Sequence, residues 1–171
     1  MKKLAGVFLV LAAVCGAQDG PQFTPAGLLK RPQDYREWIF LSSGLGMTYG
    51  PMASEMKMDN PPFDNVFVNR DAYRAFLTSK HWPDQTIFVL EIRASESKGS
   101  INQGGHFQVK PIGMEVHVKD EKRFAGKWGF FEFGEGAETA KQIPVSASCY
   151  SCHEQHGAVD TTFVQFYPTL R

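Results

Sequence analysis

The chain has 171 residues, and its 18 lysines and arginines are balanced by 18 aspartates and glutamates. This length suits one domain with a sizeable hydrophobic core. The balanced charge and the lack of a basic tract exclude nucleic acid and other polyanions as expected partners.

The N-terminus predicts export from the cytoplasm. A basic start and a short apolar stretch, residues 1–14, are typical of a secretory signal and too short for a permanent transmembrane helix. Small residues at Cys15 and Ala17 predict cleavage after Ala17, which leaves 154 residues. Residues 18–171 are therefore expected to form a single periplasmic domain.

The sequence disfavours both a lipid anchor and a transmembrane anchor. Lipid attachment at Cys15 is an alternative to cleavage, but Val14 is bulkier than the small residue that this processing prefers. After Ala17 no apolar run approaches the length of a membrane span, so no transmembrane anchor is expected.

The first half of the exported chain predicts two helices and one short strand. Tyr35, Trp38 and Ile39 lie at helical spacing and predict a helix over residues 33–41. A loop rich in glycine, proline and methionine follows. Residues 65–69 then predict a strand, and Asn69 is positioned to cap a helix that ends near Trp82 and Pro83.

The second half is mainly β. Residues 86–92 are apolar on both faces except at Glu91, which is typical of a buried central strand. Alternating patterns predict two further strands at residues 106–110 and 115–119. Residues 127–133 predict an aromatic-rich strand that could line a flat cofactor.

The predicted fold class is mainly β (α+β): an antiparallel sheet flanked by three short helices. The last helix carries the sequence Cys149-Tyr150-Ser151-Cys152-His153 and is expected to end at Gly157. No internal repeat or domain boundary is visible in the sequence.

The C-x-x-C-H sequence predicts one covalently bound haem c. Two thiols that are three residues apart on a helix lie on one face, so Cys149 and Cys152 can both form thioethers with one edge of the porphyrin. His153 then presents an imidazole to the iron as the proximal ligand. The exported chain has no other cysteine, which favours haem over a disulfide scaffold.

Three alternatives use the same cysteines. A thioredoxin-like dithiol would need a preceding strand, which residues 143–148 do not predict. A zinc site would have to take four ligands from one or two helical turns, including His153 and His156. A disulfide between Cys149 and Cys152 would close only a tiny loop and restrict the unfolded chain little.

The second axial position of the iron determines the type of chemistry. His156 lies on the same helix face as His153 and cannot reach the opposite side of the haem. His106 and His117 lie on the polar sides of predicted strands, where solvation or a hydrogen bond is the expected state. The methionines are the remaining candidates for a sixth ligand: Met47, Met52, Met56, Met58 and Met114.

Several segments spread over most of the chain form a recognisable set: residues 35–38, 65–69 with 72–73, 83–86, 118–120 with 123–124, 149–153 and 160–168. With these segments the chain resembles the cytochrome P-460 family and its close relatives, the cytochromes c-prime-beta. The resemblance implies a periplasmic homodimer with a mainly β fold, one c-haem, His153 as proximal ligand and an open distal position.

Within this resemblance, one position separates two branches. In the P-460 branch a lysine of the central strand is joined covalently to the porphyrin and the enzyme oxidises hydroxylamine. The alignment places Leu90 at that lysine and Asn65 at a pocket arginine. Leucine cannot form the cross-link, so the resemblance is closer to the c-prime-beta branch, which binds nitric oxide beneath an apolar cap.

The leading hypothesis is therefore a gas-binding cytochrome whose candidate distal pocket consists of Leu90, Phe88, Phe67 and Asn65. An apolar wall suits a small uncharged ligand such as nitric oxide, whereas oxidation of hydroxylamine needs a proton acceptor near the iron. Hydroxylamine or nitric oxide oxidoreduction is the first alternative. Simple electron transfer to a periplasmic partner, with a methionine as sixth ligand, is the second.

Overall fold

The structure is a computed structural model and describes residues 20–49 and 58–171. The predicted signal peptide, including Cys15, and two of the candidate methionine ligands, Met52 and Met56, lie outside the described residues. Within the described part of the chain, no helix combines the length and apolar character needed to cross a membrane.

The core of the fold is a five-stranded antiparallel sheet in the order β2-β3-β4-β5-β6, in which neighbours in sequence are also neighbours in space. A small second sheet pairs β1 with β7. The prediction of a mainly β fold with an antiparallel sheet is confirmed, and the strand predicted at residues 86–92 is the middle one. The strands are β1 Leu29–Lys30, β2 Ile39–Leu45, β3 Phe63–Val68, β4 Ile87–Glu96, β5 Phe107–Lys119, β6 Trp128–Phe133 and β7 Thr139–Ala140.

Two α-helices are present among the described residues, α1 Arg70–Ser79 and α2 Ser148–His156. Asn69 precedes α1 as predicted, but its side chain accepts from the Ile87 amide at 3.0 Å instead of capping the helix. Helix α2 ends before Gly157, as predicted, and the Gly157 amide donates to the His153 carbonyl at 2.9 Å. A Cβ atom at Gly157 would lie 2.7 Å from that carbonyl oxygen, so this approach requires glycine.

The helix predicted over residues 33–41 is wrong. Only a 3₁₀ turn, Tyr35–Glu37, forms there, and Ile39 already begins β2. The aromatic and β-branched residues that follow pair with β3, and this pairing outweighs the helical spacing of the preceding side chains. Tyr35 is buried, but it packs beneath the sheet rather than along a helix.

The two strands predicted at residues 106–110 and 115–119 are one long strand, β5. The expected break coincides with register shifts on either side of Arg93, which pairs with Pro111. Proline lacks an amide hydrogen, and a local irregularity in the pairing accommodates it without ending the strand.

Strand register assigns each side chain to one of two faces. Phe88 of β4 lies opposite His117 of β5, which lies opposite Phe130 of β6, and α2 packs against this side, the α2 face. Val89 and Phe67 point to the other side, the arm face, which is covered by the segment before β2. Each face has its own buried hydrophobic cluster.

Candidate functional site

His153 is held by one hydrogen bond and by the aromatic rings of Phe130, Phe163 and His117. Its Nδ1 lies 2.8 Å from the Thr161 carbonyl oxygen, which can only accept, so Nδ1 carries the proton and Nε2 keeps a free lone pair. The rings of Phe130 and Phe163 lie 4.7 and 4.5 Å away, centroid to centroid. Burial lowers the pKa of His153, although the bond to Thr161 opposes this effect, so the imidazole is neutral at pH 7. A neutral, oriented imidazole with one free nitrogen is the form that ligates iron.

His117 lies behind His153 and supports the same arrangement. Its ring stacks on Phe130 at 3.9 Å and meets the His153 ring edge-on at 5.2 Å. Its Nε2 is 3.2 Å from the Thr161 hydroxyl. Burial, with a smaller contribution from His153, lowers the pKa of His117 well below its usual value. The expected hydrogen bond is present, but the ring is buried rather than solvated, and its contacts are with the elements that hold His153.

Cys149 and Cys152 lie in α2, both partly exposed and not joined in a disulfide. Between them, Tyr150 attaches the helix to the sheet. Its hydroxyl accepts from the Phe130 amide and from the Gln142 side chain, both at 3.1 Å, and its ring packs edge-on against Phe130 at 4.3 Å. Tyr150 thus leaves the two thiols accessible while the helix is anchored. The sequence does not reveal this role, because nothing in the C-x-x-C spacing specifies the intervening residues.

Of the four candidate distal residues, Leu90 and Phe88 share the α2 face. Leu90 is half-buried and lies two residues from Phe88, about 7 Å along β4. Phe88 is 5% exposed and packs edge-on against Trp82 at 4.7 Å, so it belongs to the core beneath the site. Leu90 is flanked by Val66 on β3 and by Glu115 on β5.

Phe67 and Asn65 point to the arm face, away from His153. Phe67 packs against Tyr35 with ring centroids 5.5 Å apart. Asn65 is buried, accepts from Ser43 at 2.8 Å and donates to Gln108 at 2.7 Å. The structure therefore does not bring these two side chains together with Leu90 and Phe88, because adjacent residues of a strand face opposite sides.

Three carboxylates line the α2 face near Leu90. Glu115 pairs with Leu90 on one side and with Glu132 on the other, and Asp64 lies on β3. Glu115 is exposed, but partial desolvation, together with the charges of Glu132 and Asp64, raises its pKa. Their position could not be obtained from the sequence, because it depends on the register of β4, β5 and β6.

Tyr49 is 66% exposed, and partial desolvation, together with the charges of Asp64 and Glu115, raises its pKa.

Glu91 has a different environment on the arm face. It is 3% exposed, accepts hydrogen bonds from Tyr35 and Arg36, and pairs with Arg93 at 3.1 Å. Burial would raise its pKa, but the hydrogen bonds from Tyr35, Arg36 and Arg93 outweigh this effect and lower it. Glu91 is therefore a charged structural group and not a neighbour of His153.

The described methionines and His106 occupy varied surroundings. Met114 is buried on the arm face, with its sulfur 3.7 Å from an Arg31 guanidinium nitrogen, so it points away from His153. Met47 lies in the segment after β2 and packs close to Gly44, whereas Met58 is exposed. His106 approaches the Asp59 carbonyl at 2.9 Å.

These features fit a haem. Two accessible thiols on one helix and an oriented imidazole with a free Nε2 are the groups that a covalently attached porphyrin requires. No three His, Cys, Asp or Glu side chains of residues 20–49 and 58–171 form a cluster that could hold a metal ion alone.

Comparison with known proteins assigns the family. No match is found among curated proteins. The family model described as Cytochrome P460 matches residues 32–164, which include all strands of the main sheet and helix α2. The chain therefore belongs to the cytochrome P460 family, and the family implies haem as the cofactor.

Proposed function

We propose that this chain is a periplasmic monohaem c-type cytochrome with an open distal position that binds nitric oxide. When bound, haem supplies an iron atom to which a small diatomic ligand can attach. In this proposal Cys149 and Cys152 form the thioethers and His153 Nε2 ligates the iron. The predicted secretory signal supports the proposed location, and the family resemblance supports a homodimer.

The observation that carries the proposal is the position of Leu90. It lies on the α2 face, half-buried, between Val66 and Glu115. A leucine has no amine with which to join the porphyrin and no group that donates a hydrogen bond to a ligand. It therefore favours a ligand that needs neither, such as nitric oxide, and supports the c-prime-beta branch of the family.

Optical spectra of the purified ferrous holoprotein before and after addition of nitric oxide test this function. We expect a five-coordinate spectrum that changes on addition of the gas. A six-coordinate low-spin ferrous spectrum with no response to nitric oxide would contradict the proposal and support electron transfer with a methionine ligand.

The carboxylates near Leu90 predict selectivity against anions. Replacing Glu115 with glutamine should raise the affinity for cyanide about two- to tenfold, because one nearby negative charge is removed, and should leave nitric oxide affinity unchanged. Optical titrations at low and high salt measure this effect, which should shrink as salt screens the charge. Glu135→Gln, an exposed substitution in the turn after β6, is the matched control. Equal cyanide affinity in all three proteins would contradict the prediction.

A second candidate function is oxidation of hydroxylamine, which one observation favours. Glu115 lies beside Leu90 with a raised pKa, so it is a proton acceptor close to the proposed site. Steady turnover of hydroxylamine with an artificial electron acceptor, lost in Glu115→Gln and retained in Glu135→Gln, would establish this activity. If no turnover of hydroxylamine is observed, this second function is contradicted and nitric oxide binding remains as the proposed function.

A further inference from the structure

The orientation of His153 depends on the loop that follows α2. Tyr150 anchors helix α2 to the sheet, but the helix has no buried residue and no side-chain cap at its N-terminus, so the orientation of the His153 ring also depends on contacts outside the helix. The imidazole hydrogen-bonds to the Thr161 carbonyl, and the Thr161 hydroxyl contacts His117. A displacement of Thr161 would therefore change the direction and strength of the bond to His153 Nδ1.

Lys119 attaches this loop to the main sheet. Its side chain is 8% exposed, and its ammonium lies 3.2 Å from an Asp160 carboxylate oxygen. The same group donates to the Trp82 carbonyl at 2.7 Å and lies 3.8 Å from Glu121. Because Asp160 directly precedes Thr161, the ion pair acts on the backbone that binds the imidazole.

Two further features show that this attachment is specific. Asp160 has φ of +52°, a left-handed conformation that aspartate and asparagine adopt more readily than other non-glycine residues. On the other side of Thr161, the buried Thr162 hydroxyl accepts from the Trp82 indole at 2.9 Å. The Thr161 carbonyl, which accepts the hydrogen bond from His153 Nδ1, is thus held from both sides.

We propose that Lys119 is a positioning residue for the iron ligand, acting through Asp160 and the Thr161 carbonyl. This inference rests on the proposed ligation of iron by His153 and is independent of nitric oxide binding. A strong hydrogen bond at Nδ1 makes the imidazole a better electron donor, which favours oxidised iron. Loss of the ion pair should weaken that bond and raise the reduction potential.

The test compares Lys119→Met with Lys122→Met in the haem-loaded protein. Lys122 is an exposed lysine on the segment after β5, so it receives the same chemical change without contact to the loop. We expect Lys119→Met to lower the iron–imidazole stretching frequency in resonance Raman spectra. It should also shift the reduction equilibrium about tenfold towards the ferrous form, about 59 mV for one electron. Lys119→Arg should retain most of the native behaviour, and Lys122→Met all of it.

Asp160→Asn is the second variant, and it tests the positioning role of Lys119 even if Lys119→Met does not fold. Asparagine tolerates the same backbone conformation, so this change removes the charge of the pair while preserving the loop residue. The same Raman and potential shifts are expected. Native values of both quantities in Asp160→Asn would overturn the inference, even if thermal stability fell. A protein that binds no covalent haem would instead contradict the proposed function.

Discussion

Replacing His153 with alanine is expected to abolish the iron–imidazole stretching band while the haem stays covalently bound. The two thiols proposed to form the thioethers are unaffected by the change, whereas Nε2 of His153 is the nitrogen left free by the bond to Thr161. Resonance Raman spectra of the ferrous protein measure the band. A haem stain on a denaturing gel measures the covalent attachment.

His156→Ala is the matched control, because it makes the same substitution in the same helix. His156 is exposed, and its backbone carbonyl, which accepts from Gln165 at 2.8 Å, is retained in the variant. We expect a native spectrum from this protein. An iron–imidazole band that persists in His153→Ala and disappears in His156→Ala would show that the ligand has been assigned to the wrong residue.

Replacing Glu91 with glutamine is expected to cost about 3 kcal/mol of the free energy of unfolding. The change leaves the guanidinium groups of Arg36 and Arg93 without their buried carboxylate, and removing one partner of a buried pair costs about 3–5 kcal/mol. The lower end of this energy range applies here because the Arg36 side chain is 55% exposed. Urea unfolding of the holoprotein at pH 7 gives the value.

Glu96→Gln makes the same substitution at an exposed position of the same strand and should change stability by less than about 0.5 kcal/mol. Glu91 lies on the arm face, so its replacement should also leave the haem spectrum native. Loss of the iron–imidazole band in Glu91→Gln would contradict the placement of Glu91 away from the site.

The stability cost of Glu91→Gln should depend on pH. The pKa of Glu91 is lower in the folded protein than its usual 4.5, so its charged form stabilises the fold fully above that value. As the pH falls from about 4.5 towards the folded pKa, this contribution is lost. The difference between the native protein and Glu91→Gln should therefore shrink over that range. A difference that stays constant down to pH 3.5 would contradict the role of the charged carboxylate.

The elements that the sequence predicted well are those in which one pattern dominates. Residues 86–92 are apolar on both faces except at Glu91, and residues 87–92 form part of the central strand β4. The prediction over residues 33–41 was wrong because three aromatic and apolar side chains at helical spacing also suit a short turn followed by a paired strand. Pairing with β3 decided between these possibilities, and β3 lies some twenty residues further along the chain.

The candidate site likewise contains features that depend on strand pairing and that the sequence alone does not reveal. Leu90 and Phe88 were predicted to share a pocket with Phe67 and Asn65, yet the register places the second pair on the opposite face. Glu115 and Glu91 could not be distinguished as proton acceptors from their positions in the chain. The pairing of β4 with β5 places Glu115 beside Leu90 and directs Glu91 towards the arm face, where Tyr35, Arg36 and Arg93 bind it.

The sequence by itself determined the C-x-x-C-H motif and its helix, because Cys149, Cys152 and His153 lie within one and a half turns and their spacing is set locally. Tertiary structure alone decided what surrounds them. Lys119 and Thr161 meet across 42 residues through Asp160, and Leu90 meets Glu115 across 25. Such contacts depend on strand register, and a shift of one residue would turn every side chain of a strand to the other face.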